Sequence, residues 1–156
     1  MKLVKLRQAL IDLNVDALLI TNEYNRRYMT GFTGTAGVAV VTKNDAVFIT
    51  DFRYTEQAQA QVQDFRIVQH NGPIFAEVAT QVALMGAKTI GFEKDSMSYA
   101  TYEIYKEAVK AEFVPVSGVI EKIRLIKTQE EINIIKAACE IADNAFTHIL
   151  DYIKPG

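Results

Sequence analysis

Val38-Ala39-Val40-Val41-Thr42-Lys43-Asn44-Asp45-Ala46-Val47-Phe48-Ile49 is two apolar, largely β-branched runs separated by four polar residues. Lys43-Asn44-Asp45 has turn chemistry, and apolar runs of this length on either side predict a β-hairpin. Working outward, Ala17-Leu18-Leu19-Ile20 is another short continuous apolar run and predicts a buried strand. Phe65–Val68, Thr89–Phe92 and Phe113–Val116 predict three more. Pro115 cannot donate to a ladder, which places the last of these at an edge.

Helices are expected between the strands. Leu3, Leu6, Leu10 and Leu13 recur at helical spacing, and Asn14 can stop that helix. Residues 22–30 read as one or two helical turns, and Gly31, Gly34 and Gly37 then punctuate a loop. Pro73 opens a helix with Ile74, Val78 and Val82 on its buried face, ended by Gly86. Ser98 caps another that runs to about Lys110, with Tyr102, Tyr105 and Val109 on one side. Strands and helices in this mixture, with a hairpin among them, give a three-layer α/β domain on a mixed sheet.

The C-terminal part reads differently. Residues 117–127 form a connector. Thr128 and Glu131 then make a T-x-x-E capping box ahead of a long apolar pattern. Ile132, Ile135, Cys139, Ala142, Phe146, Ile149 and Ile153 mark one stripe, and Ile134, Ala138, Ile141 and Ala145 a second beside it. So wide an apolar face calls for burial. The preceding domain has helices enough for its own sheet, so this helix is expected to belong to a second domain. The expected organisation is a domain over 1–117, a linker over 118–127, and over 128–156 the first helix of a domain cut short at Gly156.

Composition narrows the function classes. The 156 residues carry 17 Lys and Arg against 19 Asp and Glu, a formal charge of −2. That offers no basic field for nucleic acid or anionic lipid. The first five residues are not a secretion signal, and no apolar run is long enough to span a membrane. The single cysteine, Cys139, cannot form a disulfide within the chain, which fits a reducing compartment such as the cytoplasm. On the apolar stripe it is expected to be a buried small hydrophobe. His148 stands nine residues further on, so no base is expected beside the thiol. His70, before Asn71-Gly72-Pro73, reads as an exposed loop histidine.

Asp51-Phe52-Arg53-Tyr54 is the segment with the most chemistry. It leaves the strand Ala46–Ile49 directly, and the ends of strands in α/β sheets are common ligand positions. Asp51 can cap a helix starting near Arg53, with Arg53 in a structural ion pair. Alternatively, the Arg53 guanidinium can fork onto a substrate carboxylate at the mouth of a site. A lone acid after a strand also occurs in ribonuclease H-type nucleases, but these need two further acids that nothing here identifies. Tyr24, Tyr28, Phe32, Phe52 and Tyr54 make the region rich in aromatics, for core packing or for a peptide-binding rim. The sequence contains no H-E-x-x-H, C-x-x-C, P-loop or G-x-S-x-G pattern.

Three stretches together resemble a known family. Asn25-Arg26-Arg27-Tyr28-Met29-Thr30-Gly31-Phe32-Thr33-Gly34 resembles the N-x-x-Y-L-T-G-F-x-G segment of the creatinase/prolidase N-terminal domain, with Met29 in place of Leu. Asp51-Phe52-Arg53-Tyr54, followed by Gln57 and Ala58, resembles its D-x-R-Y-x-x-Q-A segment. Arg124-Leu125-Ile126-Lys127-Thr128, then Glu131-Ile132 and Ile135–Ala138, resembles the entry into the catalytic domain, and Ile153-Lys154-Pro155-Gly156 a segment inside it. The order matches along the whole chain, and the likeness is greatest to bacterial Xaa-Pro aminopeptidases and dipeptidases.

The resemblance implies a ribonuclease H-like α/β domain that is not itself catalytic, followed by a pita-bread catalytic domain. That second domain would hold two divalent metals (manganese, cobalt or zinc), and none of its ligands would lie in this chain. The implied partners are the chain's own catalytic domain, a homo-oligomer, and proline-containing peptides; nucleic acid and membrane are not implied. Asn25, Tyr28, Gly31, Phe32 and Asp51 carry the structural motif, and a substrate-gating role falls on Arg53, Phe52 and Tyr54. A partner-binding member with a dead catalytic half, or a creatinase-like amidinohydrolase, shares this N-terminal architecture.

Overall fold

A computed structural model describes residues 2–156. The chain divides into two compact units, one ending at Ile123 and the other running from Arg124 to Gly156.

In the first unit the hairpin forms as its sequence requires. Strands β2 (Val38–Thr42) and β3 (Ala46–Thr50) pair antiparallel, Val40 opposite Val47. The Thr42 hydroxyl accepts from the Asp45 amide at 2.9 Å and stitches the turn. The remaining strands are β1 (Ala17–Ile20), β4 (Arg66–Gln69), β5 (Thr89–Glu93) and β6 (Glu112–Val116). They make one sheet in the order β4-β3-β2-β1-β5-β6. β1 is antiparallel to β2, while β1–β5, β5–β6 and β3–β4 are parallel. Only β2 therefore runs against the rest. The five other strands end on the same side of the sheet, and the loop that enters β2 lies on that side as well. Pro115 sits in edge strand β6, as expected.

Side chains alternate between the two faces, as the pleat demands. Leu18, Ile20, Ala39, Val41, Ala46 and Phe48 face one core. That core is closed by α1 (Lys2–Asp12), α2 (Glu23–Thr30), α3 (Thr55–Gln61) and α6 (Val119–Leu125) through Leu6, Leu10, Met29, Ala58 and Ile120. Ala17, Leu19, Val40, Val47 and Ile49 face a second core. It is closed by α4 (Ile74–Leu84) and α5 (Tyr99–Ala108) through Val78, Val82 and Tyr105. The three layers and the mixed sheet match the expectation from sequence.

Local signals set the helix ends. Asn22 caps α2 by accepting from the Tyr24 and Asn25 amides, and Gly31 closes it in the left-handed region at φ 79°. Asn14 adopts φ 53° beyond α1. Pro73 stands at the cap of α4, one residue ahead of its first turn.

Two expectations are corrected. Residues 118–127, read as a linker, contain α6, and Val119, Ile120 and Ile123 pack into the first core. Its apolar residues recur at i, i+1 and i+4, a helical signal easily missed in so short a stretch. In the second unit, the capping box of Thr128 and Glu131 starts α7 (Gln129–Leu150) as expected. No residue of α7 is buried, and Cys139 is exposed rather than buried. A single helix carries no second layer with which to cover its own stripe.

Phe48 is fully buried beneath the ring of Phe32, centroids 4.7 Å apart. Phe48→Ala is expected to lower stability by about 3–5 kcal/mol in urea unfolding followed by circular dichroism.

Candidate functional site

The side of the sheet on which five strands end collects the polar chemistry. Asp51 follows β3 there, His70 follows β4, and Glu93 ends β5. Residues 31–37 enter β2 from the same side.

Asp51 takes up both sequence-based readings of its structural role. Its carboxylate accepts from the Arg53 amide and so caps the 3₁₀ turn Phe52–Tyr54. It also receives the Arg53 guanidinium in a fork, Nε at 2.9 Å and Nη2 at 2.8 Å. Bidentate charge-assisted bonds of this kind fix a plane as well as a distance. The hydrogen bond from the Arg53 side chain holds the Asp51 carboxyl down to about 2, and the nearby His70 works in the same direction. The Arg53 side chain nevertheless stays 62% exposed, and its guanidinium lies over the Tyr54 ring at 5.5 Å. Phe52 is 74% exposed. Phe52 and Arg53, two of the residues expected to gate, thus form a solvent-facing rim, with Tyr54 half-buried behind them.

The 31–37 loop supports that rim. Phe32 is buried and meets the Tyr54 ring edge-on at 5.7 Å. The hydroxyls of Thr35 and Tyr54 are 2.7 Å apart. Gln61 accepts from the Thr33 amide at 2.9 Å, tying the loop to α3. A Cβ on Gly34 would collide with the Phe32 ring and come within 2.9 Å of Tyr54 Cδ1, so only glycine fits. Of the aromatic cluster, Phe32 belongs to the core, while Tyr24 and Phe52 face solvent and Tyr28 is half-buried beneath the Lys2 ammonium.

Asn25 belongs to a second network. It is fully buried, and its Nδ2 donates to Glu93 Oε1 at 2.7 Å and to Glu121 Oε1 at 2.6 Å. The other Glu93 oxygen accepts from the Thr21 and Asn22 amides at 2.9 and 2.8 Å. Burial pushes the Glu93 carboxyl up against the pull of these donors. A cavity of about 120 Å³ lies beside it, lined by Leu18, Asn22, Glu93, Asp95 and Glu121 among others. That is well below the ~300 Å³ that ligand pockets start from. The network therefore braces β1, α2, β5 and α6 and does not enclose a substrate.

Among the described residues, no three His, Cys, Asp or Glu side chains converge so as to hold a metal ion. Glu93 and Glu121 approach one another only through an amide N–H donor, whose positive end disfavours a cation between them. The described residues offer no ligand set for the two metals, which the resemblance places in a second domain.

Arg26, Glu93 and Glu121 escaped the sequence reading. Glu93 gave the same signal as Asp51, an acid ending an apolar strand. Arg26 stands beside exposed Arg27 in a polar helix, and only the backbone conformation shows that it turns inward.

The family profile of the creatinase/prolidase N-terminal domain matches residues 2–126. A Bacillus subtilis protein named as an uncharacterized peptidase, YqhT, is 52% identical, aligned over 100% of this chain and 44% of its own length. A solved Xaa-Pro dipeptidase from Bacillus anthracis superposes with a TM-score of 0.96 at 54% identity, covering 99% of this chain and 44% of that one. The solved N-terminal domain of the cytoplasmic peptidase PepQ from Mycobacterium tuberculosis gives 0.71 at 28% identity, covering 78% of this chain and 96% of that domain. The chain thus spans less than half the length of the two Bacillus relatives. No helix among the described residues is long and apolar enough to cross a membrane.

The Asp51 carboxyl is expected to titrate near pH 2 by carbon-detected NMR. In Arg53→Ala its midpoint should return toward the ordinary aspartate value of roughly 4. Because the folded-state value is the lower one, whatever the pair adds to stability is present at neutral pH and fades as pH falls from about 4 through 2.

Proposed function

The chain belongs to the creatinase/prolidase N-terminal domain family, and we propose that it serves as the non-catalytic, substrate-gating part of a metal-dependent Xaa-Pro dipeptidase or aminopeptidase. The observation that carries the proposal is the rim. Arg53 is tied by its fork to Asp51 at a strand end, and both it and Phe52 are left open to solvent, with no pocket-sized cavity beside the neighbouring network. Such a surface suits the mouth of a site whose floor is built elsewhere. A guanidinium is the usual partner for a peptide carboxylate, and an exposed aromatic ring for proline.

The relatives support the remaining parts. The Bacillus anthracis protein is named a dipeptidase of Xaa-Pro substrates, and more than half of its length lies outside the match. That remainder has room for a catalytic domain holding two divalent ions (manganese, cobalt or zinc), where the bond before proline would be hydrolysed. Residues 128–156 would be that domain's first helix, with the stripe of α7 as the face it docks. A homo-oligomer, in which the rim of one subunit faces the site of another, would bring the gating residues to a catalytic site. The cytoplasm is the compartment that fits a lone exposed thiol, Cys139.

The test uses the longer protein that continues this chain, supplied with manganese and assayed on an X-Pro dipeptide. Arg53→Ala is expected to raise KM by about tenfold while kcat changes less than about twofold, the mark of lost substrate binding. An unchanged KM would remove the gating role. Absence of any X-Pro cleavage by the unmodified protein would remove the peptidase reading itself.

A further inference from the structure

Arg26 is only 5% exposed. Its Nη1 donates to the Gly37 carbonyl at 2.7 Å and its Nη2 to the Gly34 carbonyl at 2.8 Å. The guanidinium lies 5.8 Å from the Phe32 ring centroid, over its face. Nε finds no partner. Burying a guanidinium is costly, and leaving one of its N–H groups unsatisfied adds to the cost. Were packing the only requirement here, leucine or methionine would fill the space without that penalty. What only arginine supplies is a planar fork that spans two carbonyls at once.

Those carbonyls belong to the loop under the rim. Gly34 and Gly37 have no side chains with which to hold themselves, and Gly37 sits at φ 144°. From Gly34 the contacts run straight outward: the Thr35 hydroxyl meets the Tyr54 hydroxyl, Phe32 meets the Tyr54 ring, and Arg53 lies over that ring. We propose that Arg26 is the positioning residue of the rim, clamping the 31–37 loop from beneath so that Tyr54 and Arg53 keep one orientation. Its consequence for catalysis rests on the gating role proposed above, whereas the clamp itself stands on this geometry alone. Arg26 touches no substrate; it acts through Gly34, Thr35 and Tyr54.

Hydrogen exchange read by mass spectrometry tests the clamp in this chain. The Arg53 amide bonds Asp51 Oδ1 and the Tyr54 amide bonds the Asp51 carbonyl, so both report on the rim. Arg26→Met is expected to speed exchange at least ~10-fold in residues 31–37 and also in 53–54, with β1–β3 still protected. Arg26→Lys, which keeps the charge but loses the fork, should restore only part of the protection. Faster exchange in the loop with none at 53–54 would overturn the proposal. Should Arg26→Met fail to fold, Thr35→Val cuts the same chain of contacts at an exposed residue. It should loosen 53–54 while leaving the core intact, and no change there would overturn the proposal equally.

In the longer protein, Arg26→Met should raise KM for an X-Pro dipeptide with kcat unchanged. Combined with Arg53→Ala, it should cost no more than Arg53→Ala alone, since the two act through one group. Additive losses, or a fall in kcat, would contradict a positioning role. If Arg53→Ala itself leaves KM unchanged, the gating reading has failed, and the exchange result still decides the role of Arg26.

Discussion

Strand β1 is the constraint on which the first unit rests. All four of its residues are fully buried, with one core on each face. A strand in that position cannot leave a backbone group unpaired. Its ladder is completed by antiparallel β2 on one side and parallel β5 on the other. A carboxylate pins each end of the parallel pair. Asp16 Oδ2 accepts from the Lys88 and Thr89 amides where the two strands begin, and Glu93 accepts from Thr21 and Asn22 where they finish. Register follows from these two acids as much as from the apolar pattern, because a slip of one residue would exchange the side chains that face the two cores.

The reversal of β2 then decides what lies beside the Asp51–Tyr54 turn. Since β2 alone runs backward, its entry loop shares a side with the exits of β3, β4 and β5. The glycine loop can therefore lie against the Asp51–Tyr54 turn, and a buried arginine on α2 can reach both loop carbonyls. Rigidity at the rim comes from below, while its outer face stays free. An exposed ion pair such as Asp51–Arg53 adds little to stability. Its worth lies in setting the plane of a guanidinium that remains accessible.

The fold was largely legible in the sequence, because apolar runs and turn residues report directly on strands and their ends. The hairpin at Lys43–Asp45, the edge position enforced by Pro115, and the caps at Ser98 and Thr128 could all be read from local chemistry. Asp51 was legible as a cap for the same reason. Helix α6 was not, since seven residues hold too few periods to distinguish a helix from a connector. The burial of Arg26 was not legible either, because which of two adjacent arginines turns inward depends on where the Gly34 and Gly37 carbonyls lie in space. The Asn25–Glu93–Glu121 network joins residues up to 96 positions apart, a proximity that no local pattern encodes. Cys139 shows the converse. Its stripe was read correctly as apolar, but burial needs a partner surface, and periodicity says nothing of where that surface lies.

The central claim is that this chain shapes access to an X-Pro peptidase site without supplying its catalytic groups. The most direct test compares X-Pro dipeptide hydrolysis by the 156-residue chain alone with hydrolysis by a protein that carries this chain followed by a segment matching the remaining length of its Bacillus relatives, both supplied with manganese. The account predicts no turnover by the chain alone and turnover by the extended protein. Cleavage by the chain alone, or a folded extended protein that binds no metal and cleaves no X-Pro bond, would contradict it.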